Sequence, residues 1–340
     1  MKCGICIALT MLAGTVVADE SGVTCSGEPD AKLRLACYDR AFANAPATLT
    51  LPVVPPTAPT GELAAIEPSA MATEWELGTS DKRRDFTIRT YHPNFLLPLH
   101  YTNRINRAPS SPTQGPAERH DDYRQAEVKL QISLRAKVVE DLLLPGADLW
   151  VAYTQRSLWQ LWDSQDSAPF RSTDYQPELI YVVPVPEQIG RLPFGWNWRM
   201  VQLGAVHQSN GQSEPLSRSW NRMYLGLGLE KGNLGLMLRV NQRLRVQNND
   251  DNPDLVDYIG RGELAMNWAP GASTVGLTWR SQLNSTKRGS LQLDWTYPVF
   301  ASQPTGLRWY LQVFSGYGAT MLDYNHRQTT VGVGLSLFQF

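Results

Sequence analysis

Between Val128 and Val138 apolar and polar residues alternate without a break. Val128, Leu130, Ile132, Leu134, Ala136 and Val138 stand on one parity, and Lys129, Gln131, Ser133, Arg135 and Lys137 on the other. Side chains of a β-strand point to opposite faces with a period of two, so such a strand has one apolar face and one strongly polar face. The pattern returns in Leu234, Leu236, Leu238 and Val240, in Leu291, Leu293, Trp295, Tyr297 and Val299, and in Leu307, Trp309, Leu311 and Val313. The residues between them include Arg239, Gln292, Asp294, Arg308 and Gln312.

A soluble β-sandwich also alternates, but its strands run about five or six residues and its polar face looks out to water. The runs here are nearer the roughly 9 to 11 residues that cross a bilayer at a tilt. About twelve segments of this character lie between Arg84 and Phe340, an even number, as in bacterial single-chain barrels. The expected fold is therefore all-β, a twelve-stranded antiparallel transmembrane β-barrel of the outer-membrane type, over residues 81–340. Composition agrees: 11 Trp and 13 Tyr suit the aromatic girdles of such a barrel. The mean hydropathy of −0.30 suits strands with one polar face. A formal net charge of −1 over 340 residues gives no electrostatic reason to expect nucleic acid as a partner.

The start of the chain reads as a secretory signal over 1–18: Lys2, an apolar stretch from Ile5 to Val17, then cleavage after Ala18. Cys3 and Cys6 would leave with it. Cys25 and Cys37 remain in a compartment that favours oxidation, where a disulfide closing a small loop is expected, and no His lies nearby to complete a metal site instead. From Pro46 to Pro68 the chain is rich in Pro, Ala and Thr, including LPVVPPTAPTGE, and reads as an extended linker. Residues 19–80 are thus expected to form an N-terminal region ahead of the barrel. The chain ends LSLFQF, an aromatic ending that resembles the assembly signal of outer-membrane barrels. Phe338 and Phe340 are out of phase with Val331, Val333, Leu335 and Leu337, which leaves their facing open.

Chemistry concentrates between Val201 and Trp220. Val201, Leu203 and Ala205 form an apolar row that His207 and Ser209 continue, while Gln202, Gly204 and Gln208 take the other face. In the next strand Asn221 begins the apolar row of Met223, Leu225, Leu227 and Leu229, and Arg222, Tyr224 and Glu230 point to the lumen. Three polar residues therefore meet at one rim on the bilayer side. Polar groups in a lipid-facing row carry a free-energy penalty, so a cluster of them is a functional hypothesis. His207 and Ser209 are two positions apart, roughly 7 Å between Cα atoms. With Asn221 they supply a base, a nucleophile and an orienting group. On parity alone this reading stands level with a plain one, in which all three sit among lipid headgroups.

The run HQSNGQSEPLSRSWNR strongly resembles the active-site segment of the bacterial outer-membrane phospholipase A family. Further matches are YTQRSLWQL, SAPFR from Ser167, NDDNPD from Asn249, and FSGYG followed by DYNHRQTTVGVG, so the resemblance spans about Arg84 to Phe340. It implies hydrolysis of the sn-1 or sn-2 acyl ester of membrane phospholipids, and lysophospholipase activity, with Ser209 as nucleophile, His207 as general base and Asn221 fixing the imidazole. It implies a Ca²⁺ ion bound by Ser167 of one chain and by Gln212 and Ser217 of a second chain in a homodimer. Gly211 would offer its N–H to the oxyanion. Glu214 and Asp251 match a second calcium site, and Gln155 and Trp159 match dimer contacts. Gating of activity by membrane damage, calcium and dimerisation follows from the same resemblance.

Two departures stand out. Gln212 replaces a usual Arg, at a position where the family uses the backbone carbonyl, and Gln208 stands where Asp is common but faces the lumen by parity. No metal-ligand spacing links His92, His100, His120 and His326, which read as structural or solvent-facing. The alternatives are a porin-like or structural barrel that kept the motif without its chemistry, and a soluble secreted lipase.

Overall fold

The structure is a computed structural model that describes residue 25 and residues 28–42, 69–164, 170–244 and 250–337. The expected signal, the Pro-rich linker, Ser167, Phe338 and Phe340 lie outside the described residues.

The chain divides into two compact units, residues 1–64 and 65–340. In the first, helix α1 (Ala31–Phe42) begins after Asp30, whose Oδ1 accepts the backbone N–H of Lys32 at 2.8 Å and of Leu33 at 3.3 Å. These are donors that the first turn of a helix cannot satisfy by itself. A disulfide joins Cys37 of this helix to Cys25.

The second unit holds a short helix, α2 (Ala70–Trp75), and twelve long strands. In chain order they are β1 (Asn94–Thr102), β2 (Ala126–Val139), β3 (Asp148–Trp159), β4 (Phe170–Pro184), β5 (Asn197–Ser209) and β6 (Ser219–Lys231). There follow β7 (Leu234–Leu244), β8 (Gly262–Trp268), β9 (Thr274–Gln282), β10 (Ser285–Pro298), β11 (Arg308–Gly316) and β12 (Gln328–Leu337). Each pairs antiparallel with the next, and β12 pairs with β1, for example Val331 with Tyr101, so the sheet closes and no barrel strand is left with an open edge.

Facing follows the alternation. Ile132, Leu134, Val151, Leu179, Leu203, Met223, Leu225, Leu291, Leu293 and Trp309 are exposed on the outside, while Glu127, Lys129, Gln131, Ser133, Arg135 and Lys137 of β2 are buried in the lumen. The barrel is inside-out relative to a soluble domain: its apolar band meets lipid, and its polar groups satisfy one another within.

Two structures fill the lumen. Near the end where β1 begins and β12 finishes, α2 inserts Trp75 into a cluster with Tyr91, Trp150, Ile180, Val182 and Met200. The Arg135 guanidinium lies 3.9 Å from the Trp75 ring centroid, and Glu76 pairs with Arg89 at 2.9 Å and Lys137 at 3.0 Å. Ser69 caps the helix by accepting from the Ala72 N–H, and Glu230 of β6 accepts from the Met71 N–H. Gly228 makes room for it, since a Cβ there would meet Met71 Sδ at 2.8 Å. Toward the opposite end Arg171 donates to both oxygens of Glu127, at 2.6 and 3.1 Å, and to Asp323 at 3.0 Å. The strand pattern places the start of the barrel at residue 81, whereas the second unit begins at 65. The reason is α2: it carries no period of two, yet its tryptophan is core to the lumen.

Candidate active site

The lumen cavity near mid-barrel has a volume of about 110 Å³ and is lined by Arg156, Arg222, Arg239 and Arg280 together with Asp174 and Glu263. An acyl chain would displace the hydration or pairing of those charges and gain apolar contact only from Trp220, Tyr224, Ile259 and Met321, which is unfavourable. A site for a lipid ester must be sought on the outer wall.

There, β5 and β6 form a hairpin whose register sets His207 opposite Asn221 and Ser209 opposite Ser219. His207 is exposed on the outer face, and Ser209 and Asn221 are half-buried. His207 Nδ1 lies 2.8 Å from Asn221 Oδ1. An amide oxygen can only accept, so the bond places the proton on Nδ1 and leaves the Nε2 lone pair available. The inward neighbours behave differently. Gln208 turns to the lumen and accepts from Trp220 Nε1 at 3.0 Å and Arg222 Nη1 at 3.1 Å. The departure from Asp at position 208 therefore does not touch the outer face.

The loop from Asn210 to Arg218 is stiffened from inside. Asn210 Oδ1 accepts the Arg218 N–H at 2.9 Å, and its Nδ2 donates to the Leu216 carbonyl at 2.7 Å. Arg218, fully buried, donates through Nη1 to the carbonyls of Pro215 and Ser217. Burial draws its pKa down, and Asp251 and Asp254 work against that. Gly211 has φ +63°, a left-handed conformation that glycine adopts without strain, and a Cβ there would lie 3.0 Å from the Tyr175 ring. Gln212 is half-buried in the same loop.

Of the oxygen donors expected for calcium, Ser217 and Asp251 are together: Ser217 Oγ donates to Asp251 Oδ2 at 2.6 Å. Glu214 is exposed in the same loop. The Ser219 N–H donates to Asn252 Oδ1 at 3.0 Å, which ties the β7–β8 loop to the start of β6. Hydroxyl and carboxylate oxygens are a donor set suited to a hard cation. Among the described residues no group of three His, Cys, Asp or Glu side chains could hold a metal ion, so any calcium site here needs hydroxyl, amide or carbonyl oxygens as well.

Gln155 and Trp159 lie on β3. Gln155 faces out, accepts from Tyr153 Oη at 3.1 Å and pairs across strands with Tyr175, which in turn pairs with Ser209. Trp159 stacks on Phe170 at 5.5 Å between ring centroids. Sequence reasoning missed Tyr175 and Asn210. Tyr175 is in phase with the exposed Leu179 of its strand, so its outward facing was readable, but its place between Gln155 and Ser209 depends on the register of three strands. Asn210 had a signal, an Asn beside Gly at a turn.

Residues 71–337 match the Phospholipase A1 family. The chain is 37% identical over 360 residues to a putative phospholipase A1 of Neisseria meningitidis serogroup B, covering 93% of this chain and 90% of the relative. It is 37% identical to phospholipase A1 of Escherichia coli K12 over 253 residues, 74% of this chain and 82% of the relative. Among solved structures it resembles the outer membrane phospholipase of Salmonella typhi, a dimer with bound calcium, with TM-score 0.66 and 33% identity over 78% of this chain and 96% of that one. The outer membrane phospholipase A of Escherichia coli gives TM-score 0.65 and 35% identity over 75% and 100% of the two chains. With twelve strands closed into a barrel and relatives of this kind, the chain belongs to the phospholipase A1 family and is a β-barrel phospholipase of the Gram-negative outer membrane.

Proposed function

We propose that this phospholipase cleaves acyl esters of glycerophospholipids with a Ser209–His207–Asn221 triad on the lipid-facing wall, as a calcium-dependent homodimer. The observation that carries the reading is the 2.8 Å bond from His207 Nδ1 to Asn221 Oδ1 on the outer face.

In this mechanism Ser209 Oγ attacks the ester carbonyl carbon as its proton passes to His207 Nε2. The imidazolium then gives that proton to the departing alcohol oxygen of the lysophospholipid. Water, deprotonated by the same nitrogen, hydrolyses the acyl-serine to fatty acid and free Ser209. Asn221 holds the ring in the tautomer the first step needs. As a neutral group it stabilises the imidazolium less than a carboxylate would, and it avoids placing a buried charge beside lipid. The N–H of Gly211 is the oxyanion donor of this scheme.

Calcium, when bound, supplies positive charge that polarises the ester carbonyl or stabilises the oxyanion. Its ligands in this reading are Ser167 of one copy with Gln212 and Ser217 of the other, and Glu214 and Asp251 serve a second ion. Gln155 and Trp159, on the outer wall with Tyr175 between Gln155 and Ser209, lie where a second copy would meet the site. A solved relative that is a dimer with bound calcium supports both parts. Activity at either the sn-1 or the sn-2 ester, and on lysophospholipids, belongs to the same reading.

The test is Ser209→Ala, with fatty-acid release followed from phospholipid–detergent micelles in calcium. Loss of at least about 10⁴-fold is expected, the scale of removing a nucleophile from a triad. Unchanged release from purified, folded protein sinks the triad assignment.

A further inference from the structure

The loop between β1 and β2 folds into a small hairpin, Ser110–Ser111 paired with Gly115–Pro116, whose turn carries Thr113 and Gln114. It reaches across the far rim to the β7–β8 loop. Thr113 Oγ1 donates to the Asp250 carbonyl at 2.9 Å, and Gln114 Nε2 donates to Asp251 Oδ1 at 2.8 Å. The hairpin is itself fixed: the Gln114 N–H donates to Ser111 Oγ at 3.2 Å, and Asn325 Nδ2 to the Ser110 carbonyl at 2.9 Å. From the other side Ser217 Oγ donates to Asp251 Oδ2. Three loops far apart in sequence thus converge on one carboxylate.

The two donors on Asp251 are not equivalent toward a cation. A hydroxyl can rotate its hydrogen away, so Ser217 need not hold a donor against a cation at Asp251. The amide nitrogen of Gln114 has only N–H bonds to offer, and it points the positive end of each at the oxygen a cation would use. A hydrogen bond to a charged acceptor is among the stronger ones, and an ion taking Asp251 must displace it or endure it.

We propose that Gln114 is a built-in competitor for Asp251, which raises the calcium concentration at which the rim loops engage the second ion. The inference rests on the calcium reading above. It makes Gln114 a regulatory position with no part in catalysis.

The experiment is isothermal titration of the full chain in detergent micelles with calcium chloride, comparing wild type, Gln114→Met, Gln114→Glu and Asp251→Asn. Gln114→Met keeps the side-chain length and removes the donor, and should lower the half-saturating calcium concentration about tenfold, as expected for losing a hydrogen bond to a charged group. Gln114→Glu should lower it further, since it also adds negative charge. An unchanged value in both overturns the proposal, and a raised value in Gln114→Met overturns it by making Gln114 a ligand. Asp251→Asn separates the two levels. If it leaves wild-type binding untouched, Asp251 is no ligand and the calcium reading at this residue falls. If it weakens binding while the Gln114 variants do nothing, only the competitor falls.

Discussion

Along the β5–β6 hairpin successive residues alternate between two environments. Gln202, Gly204 and Val206 are buried in the lumen, while Leu203, Ala205 and His207 are exposed on the wall. In the lumen a polar side chain is ordinary: Glu178 accepts from Tyr224 Oη at 2.6 Å and Tyr91 Oη at 3.0 Å, and each partner satisfies the other. On the wall a polar side chain has no such surroundings and stands among Met223, Leu225 and Leu203. The same residue type therefore carries different information on the two faces. Inside, charge signals packing; outside, the His207–Asn221 pair is the signal on which the proposed chemistry rests.

The largest effect that would sharpen this contrast comes from breaking a lumen pair. Arg171→Met leaves Glu127 and Asp323 buried without their cation and should cost about 3–5 kcal/mol, read from unfolding in detergent with denaturant. A loss under about 1 kcal/mol would mean the lumen is wet enough to screen the pair. Next is an arginine on the opposite face. Leu203→Arg, on the lipid-facing row, should destabilise insertion by about 2–4 kcal/mol if it lies near mid-bilayer, measured by folding into phospholipid vesicles. No effect would show that this row does not contact lipid.

Asn221→Ala, at the meeting point of the two arguments, should reduce fatty-acid release about 10- to 100-fold, the scale of one hydrogen bond, with stability little changed. A change in stability with activity intact would make Asn221 structural. The smallest effect is acid loss at Asp323. Burial pushes its pKa up, but the Arg171 guanidinium more than offsets that and holds it below the usual carboxylate value. A lowered folded value stabilises the fold above the unfolded pKa of about 3.9, and that contribution disappears as pH falls through the folded value. The difference in stability between wild type and Asp323→Asn should therefore be flat near neutrality and shrink only below about pH 4. Titration of that difference between pH 5 and 7 would contradict the assignment.

How much was readable before folding differs between these features. The facing of His207, Ser209, Asn221 and Gln208 was readable because a strand has a strict period of two, so parity transmits facing along the chain. The closeness of His207 to Asn221 needed one further fact, the register of a hairpin closed by the loop from Asn210 to Arg218. Helix α2 was hidden within a stretch assigned to the N-terminal region. Its role rests on Trp75 meeting Trp150 and Ile180, contacts that no local pattern encodes. The Gln114–Asp251 bond spans 137 positions and was beyond reach, since nothing near Gln114 marks it as a partner of an acid on another loop.

The sequence by itself determined the barrel, its strand count and which face meets lipid, because each depends on periodicity. Only the tertiary structure decided what fills the lumen, which imidazole nitrogen faces Asn221 and which loops converge on Asp251. Those depend on strand register and on loop packing, which bring together side chains separated by 14 positions at His207 and Asn221 and by 137 at Gln114 and Asp251.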